Sequence, residues 1–263
     1  MTAAAHDPAG ALRLGSPRVH LRVADSTNER ARELALAGAP HGTLVTAAEQ
    51  SAGRGRQGRR WSAPAGSSIL MSLILREPPR LLPLMAAVAV CDVAGGDAAI
   101  KWPNDVVVAS GAGDGLAKLA GILVEARPQE GWAVLGIGLN VAVRLEDLPP
   151  ELRRGAPDLG AAQAPRAEAS AALPAATMGL APEQVEGTLA RLLAALARRL
   201  GEDPATALAA WRERDALSGR EIAWNGGQGR AAGIDGDGRL VVELTDGGQT
   251  TIGAGEVHLE RVG

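Results

Sequence analysis

Three apolar runs constrain this chain more than anything else in it: Ser68 to Leu75, Leu119 to Glu125, and Trp132 to Val141. The first is apolar enough to lie in a sheet covered on both faces, and the other two are strand-like segments separated by Pro128 to Gly131. Shorter strand signals surround them at Val19 to Val23, Thr43 to Thr46, Ala98 to Trp102 and Asp105 to Val108, the last two flanking a Pro-Asn turn. Asp25-Ser26-Thr27-Asn28 offers capping side chains for a helix running to about Ala37, and Leu81 to Val93 reads as a buried helix. Glycines 111, 113 and 115 mark a hairpin. The expected class is therefore α+β, a mixed β-sheet with helices packed against it.

Between Arg144 and Pro182 the composition turns to Ala, Pro and Gly, which predicts a long irregular connection. Helical spacing returns at Glu183 to Leu200, with Val185, Leu189, Leu192, Leu196 and Leu200 on one face, and again around Ala205 to Arg214. From Ala216 onward short alternating strands punctuated by Gly226-Gly227, Asp235 to Gly238 and Asp246 to Gly248 predict a small β-barrel. The expected organisation is a flexible segment over 1–18, a main domain over 19–215 and a second, small domain over 216–263.

In a chain of 263 residues, 46% of them hydrophobic, a real core is available. A net charge of −3 argues against a nucleic-acid or membrane-surface partner, so any anion site must be local. Cys91 is the only cysteine, which excludes an intrachain disulfide framework and fits a reducing, cytoplasmic location, as does the lack of a long apolar span. There is no Phe and no Tyr, so core positions fall to Leu, Ile, Val, Met and five Trp.

Positive charge is concentrated in Gly53-Arg54-Gly55-Arg56-Gln57-Gly58-Arg59-Arg60-Trp61. The glycines satisfy the dinucleotide pattern G-x-G-x-x-G, but that fingerprint must open a helix, and Ser62-Ala63-Pro64 follows here. A P-loop is excluded by the lack of a Gly-Lys-Ser/Thr ending. From Gln50 to Arg76 there are five Arg and no Asp or Glu, so the segment reads either as a solvated loop or as a flexible loop that closes over anions with guanidinium forks. Lys101-Trp102-Pro103-Asn104-Asp105 reads either as a capped turn or as a strand-end site.

GRGRQGRRW and KWPND, followed by Lys118 to Glu125 (KLAGILVE) and Gly136 to Asn140 (GIGLN), resemble the biotin protein ligases, or biotin–[acetyl-CoA-carboxylase] ligases. Asp25 to Asn28 and Glu49-Gln50 are similar to that family's first two blocks, and the likeness runs in order from about Val19 to Val141. It implies a catalytic domain like that of class II aminoacyl-tRNA synthetases, followed by an SH3-like barrel. Larger members carry an N-terminal winged helix-turn-helix; about 18 residues before the first strand leave no room for one, so a repressor role is not expected.

The resemblance implies a ligase that activates biotin with ATP, assisted by Mg²⁺, and transfers it to a lysine of a biotin carboxyl carrier protein or domain. Ser26, Thr27, Asn28 and Gln50 would line the biotin pocket, with Arg54, Gly55, Arg56 and Lys118 on the carboxylate and α-phosphate. Gly53, Lys101, Asn104 and Asn140 would lie on the nucleotide side. Asp105 would be a catalytic carboxylate and the candidate magnesium contact, while Trp61 is either a binding wall or packing. A lipoate ligase of related fold and a catalytically inactive biotin-binding homologue are the alternatives.

Overall fold

The computed structural model describes residues 13–110, 115–148, 152, 173–253, 255 and 257–259. Residues 111–114 of the expected hairpin and most of the irregular connection over 144–182 lie outside them, while the hairpin closes through Ser110 N–H donating to the Gly115 carbonyl at 2.9 Å. Seven strands form the main sheet: β1 (Arg18–Ala24), β2 (Leu44–Gln50), β3 (Ser68–Arg76), β4 (Ala99–Lys101), β5 (Asp105–Ala109), β6 (Leu116–Arg127) and β7 (Trp132–Asn140). Their order is β1-β2-β3-β7-β6-β5-β4, with β1 and β2 parallel and the remaining pairs antiparallel, which is the mixed sheet expected. The three long apolar runs are its adjacent central strands. β4 and β5 form a tight hairpin in which Lys101 pairs with Asp105 across the KWPND turn.

Alternation along β3 sends its side chains to two covered faces. Met71, Leu73 and Leu75 join the large core under α2 (Leu82–Ala94), while Ile74 joins a smaller cluster with Ala31 and Ala35 of α1 (Thr27–Leu36). Helix α2 is apolar on nearly every side because it is buried between the sheet and two further helices, α3 (Val185–Leu200) and α4 (Pro204–Arg212). Cys91 is packed there as expected, and burial pushes its thiol up to about 12.

Within the segment expected to be flexible, Gly15 N–H donates to the Gly42 carbonyl and Leu44 N–H to Pro17, both at 2.9 Å. One local expectation changes. The helix α1 begins at an N-cap Ser26 with extended backbone, yet no side chain caps it. Its first-turn side chains turn into a cleft instead, and the Thr27 N–H finds its acceptor in Gln50 Oε1 at 2.7 Å.

The C-terminal strands are β8 (Glu221–Trp224), β9 (Gly227–Ile234), β10 (Leu240–Glu243), β11 (Gln249–Ile252) and β12 (Val257–Leu259). They form an antiparallel sheet in the linear order β11-β10-β9-β8-β12. Among the described residues β11 and β12 do not pair, so the expected barrel is present as an open five-stranded sheet. No helix is long and apolar enough to cross a membrane among the described residues.

Candidate functional site

A cavity of about 150 Å³ lies where the start of α1, the ends of β2 and β7, the middle of β6 and the Arg/Gly loop converge. Of the residues expected to gather, Ser26, Thr27, Asn28, Gln50, Arg54, Gly55 and Arg56 line it. So do Lys101, Asn104, Asp105, Lys118 and Asn140. Gly53 does not; it lines a second, more open hollow bounded by the same loop with Leu123 and Glu125.

The uncharged part of the cavity is a buried hydrogen-bonded chain. Thr27 Oγ1 lies 3.1 Å from Gln50 Oε1, Ser72 Oγ lies 2.8 Å from Thr27 Oγ1 and 2.6 Å from Asn28 Oδ1, and Asn28 Nδ2 donates to Glu125 Oε2 at 2.8 Å. Asn28 reaches this position only because β7 carries glycine at 136, where a Cβ would stand 2.0 Å from Asn28 Oδ1. Trp61 likewise lies on Gly138, where a Cβ would stand 2.5 Å from the indole. Its ring centroid is 5.7 Å from Lys118 Nζ, and its buried Nε1 has no hydrogen-bond partner. Trp61 is thus both packed and part of the wall.

The charged part is built from two directions. Gly55 N–H donates to the Arg59 carbonyl at 2.7 Å and Trp61 N–H to Gly53 at 3.0 Å, closing the loop on itself around Gln57 at φ 55. Arg56 reaches Asn104 Oδ1 at 3.2 Å and the Gly255 carbonyl at 3.4 Å. Arg54 pairs with Glu29 Oε2 at 2.8 Å. The hydrogen bond from Arg32 holds the Glu29 carboxyl below its ordinary value against the opposing effect of burial, with the charge of Arg54 adding to it. From the sheet side Lys118 pairs with Asp105 at 2.6 Å, and Lys101 donates to the Val257 carbonyl at 2.7 Å.

Asn140 is fixed by Ser68 at 3.2 Å and by its own bond to the Ala176 carbonyl at 2.9 Å. Ala176 and Lys118 are also joined through the backbone, and Met178 N–H donates to the Asn140 carbonyl at 3.0 Å, so residues 174–178 close this flank. Glu29, Ser72 and Glu125 were not singled out from the sequence. The one available signal was Ser72, a lone polar residue amid the apolar run Ile69 to Leu75, fully buried where nothing apolar required it.

Comparison with known proteins places the chain in a family. Residues 20–141 match the biotin/lipoate A/B protein ligase family and residues 217–259 the biotin protein ligase C-terminal domain. A biotin–[acetyl-CoA-carboxylase] ligase of Mycobacterium tuberculosis is 34% identical over 256 residues, covering 89% of this chain and 86% of the relative. The bifunctional ligase/repressor BirA of Bacillus spizizenii is 41% identical over 152 residues, which cover 53% of this chain; the match spans only 45% of that relative's length. The solved structure of an Aquifex aeolicus biotin protein ligase in complex with biotin and ATP superposes with a TM-score of 0.71 at 22% identity, covering 94% of this chain and 99% of the other. It shares the fold. The chain belongs to the biotin/lipoate A/B protein ligase family.

Proposed function

We propose that this chain is an ATP-dependent biotin protein ligase, which activates biotin as biotinyl-5′-AMP and passes the biotinyl group to a lysine of a biotin carboxyl carrier protein or domain of an acyl-CoA carboxylase. The observation that carries the reading is one cleft in which the neutral chain of Thr27, Asn28 and Gln50 adjoins the cations Arg54, Arg56, Lys101 and Lys118. A ureido ring offers donors and an acceptor to the first; a carboxylate and a phosphate need the second. A lipoate head offers no N–H donors to such a floor, and an inactive homologue has no use for the cations.

In the first half-reaction the biotin carboxylate attacks the α-phosphorus of ATP and pyrophosphate leaves. No enzyme nucleophile takes part. The obstacle is repulsion, since two like unit charges ~4 Å apart cost about 4 kcal/mol at an effective dielectric near 20. Arg56 and Lys118 offset that repulsion, and Arg54 joins them by exchanging Glu29 for substrate. Gly53, Gly55 and the rest of the loop exclude water from the mixed anhydride. Lys101, Asn104 and Asn140 hold the nucleotide side. In the second half-reaction Asp105 receives a proton from the attacking lysine amine and AMP leaves.

Magnesium, when bound with the nucleotide, supplies charge neutralisation. Asp105 is one carboxylate beside the cavity, and no cluster of three potential metal ligands exists among the described residues. This fits an ion held mainly by substrate phosphates. We read the C-terminal sheet as the SH3-like unit of such ligases, and the cytoplasm as the location. The direct test is biotin-dependent exchange of labelled pyrophosphate into ATP; absence of exchange with folded protein would refute the proposal.

A further inference from the structure

Glu125 and Ser72 touch the buried chain of hydrogen bonds without lining the cavity. A carboxylate only accepts, so Glu125 fixes which end of the Asn28 amide faces it: Nδ2 donates to Glu125 at 2.8 Å, and Oδ1 turns to Ser72 at 2.6 Å. Ser72 must then donate its one proton to Asn28. Thr27 can no longer receive that proton, so its own hydroxyl proton goes to Ser72 at 2.8 Å or to Gln50 Oε1 at 3.1 Å. Either way the protons of both hydroxyls are committed within the protein, and Thr27 keeps lone pairs for a ligand. Gln50 Oε1 also accepts the Thr27 N–H at 2.7 Å, which leaves the Gln50 amide nitrogen as the floor's donor.

We propose that Glu125 is a positioning residue for ligand selectivity: it sets the direction of the Asn28 and Ser72 hydrogen bonds under the cavity and so denies Thr27 the Ser72 proton. Thr27 then accepts from an N–H group and the Gln50 amide nitrogen donates, which suits a cyclic urea and disfavours a ring without N–H. This rests on the ligase reading above. Removing the charge lets the Asn28 amide turn over, frees the Ser72 proton for Thr27 and blurs the pattern.

The test compares wild type, Glu125→Gln, Ser72→Ala and the double variant by calorimetric titration with biotin and with lipoic acid, together with single-turnover adenylation and thermal unfolding. Losing one well-made hydrogen-bond arrangement corresponds to about tenfold in affinity. Glu125→Gln should weaken biotin by about that factor and leave lipoic acid unaffected, with kcat at saturation and Tm close to wild type. The double variant should lose less than the product of the singles, because both act through Asn28. Unaltered biotin affinity in Glu125→Gln, or equal losses in affinity, kcat and Tm, would overturn the role of Glu125 alone. A folded wild type that bound no biotin would overturn the ligase reading and this inference with it.

Discussion

At Gly136 the backbone of β7 comes so close to Asn28 that no side chain fits between them. Asn28 cannot yield, because Glu125 and Ser72 hold both ends of its amide and it is 5% exposed. Gly136→Ala should therefore cost about 1–3 kcal/mol of stability, as overpacking does, and should reduce biotin affinity beyond that effect by displacing Asn28. Titration calorimetry beside thermal unfolding separates the two; a stable variant with native affinity would show that Asn28 has somewhere else to go. Lys118 and Asp105 pose a different problem at the same scale. Their side chains are only 25% and 14% exposed, so each is the other's principal compensation. Lys118→Ala should lower single-turnover adenylation by on the order of 10²-fold, as loss of a group stabilising transition-state charge does. It should also destabilise the fold, and adding Asp105→Asn should recover part of that stability, because an uncompensated buried charge is worse than none. Activity should not return with it. Recovery of both would make the pair structural.

At the scale of elements, helices α2 and α3 and the turn after α4 are clamped by one carboxylate. Asp92 of α2 receives Arg198 at 2.6 Å, Arg199 at 2.7 Å and Arg214 at 3.1 Å while only 12% of its side chain is exposed. Burial pushes the carboxyl up, but the hydrogen bonds and charges of Arg199, Arg198 and Arg214 overcome that and hold it below its ordinary value. A depressed carboxylate contributes stability that is present above its unfolded pKa, near 3.9, and is lost as pH falls through the folded value. Asp92→Asn should hence cost about 2 kcal/mol at pH 7, and the gap from wild type should close below about pH 4. A pH-independent gap would assign the clamp to packing. The strands β3, β6 and β7 were legible because apolar runs bounded by turn residues permit little else. The capping expected from Asp25 to Asn28 failed because the Thr27 and Asn28 oxygens bond to Ser72 and Gln50, and Gln50, 23 residues away, accepts the Thr27 N–H instead. The bond from Asn28 to Glu125 spans 97 residues and that from Ser72 to Asn28 spans 44, so sheet register, not local pattern, creates them. The Arg loop, KWPND and GIGLN were visible as blocks; Glu29, which holds Arg54, was not, because one acidic residue on a helix carries no sign of its partner.

For the whole molecule, the C-terminal sheet packs against the main domain through a shared core. Ile222, Leu240, Val242 and Val257 belong to the same buried cluster as α2, and Trp102, 2% exposed, donates its indole N–H to the Gly238 carbonyl at 3.1 Å. The chain crosses between the sheets by pairing, with Ile100 N–H donating to Arg214 and Ala216 N–H to Ile100 at 2.6 and 2.9 Å. Across this seam the Gly255 and Val257 carbonyls hold Arg56 and Lys101, so the fold of one sheet fixes the charges of the other. One cooperative unfolding transition is expected, with calorimetric and van't Hoff enthalpies equal. Amides of β7 and β9 should then exchange hydrogen at the same global free energy. Trp102→Ala removes the largest side chain at the seam, costing about 3–5 kcal/mol. For a chain of this size that lowers Tm by on the order of 10 °C, and the loss should fall equally on the amides of both sheets. If β9 lost protection while β7 kept it, the C-terminal sheet would be an independent domain, and its hold on Arg56 and Lys101 would be a contact that opens on its own rather than one built into the fold.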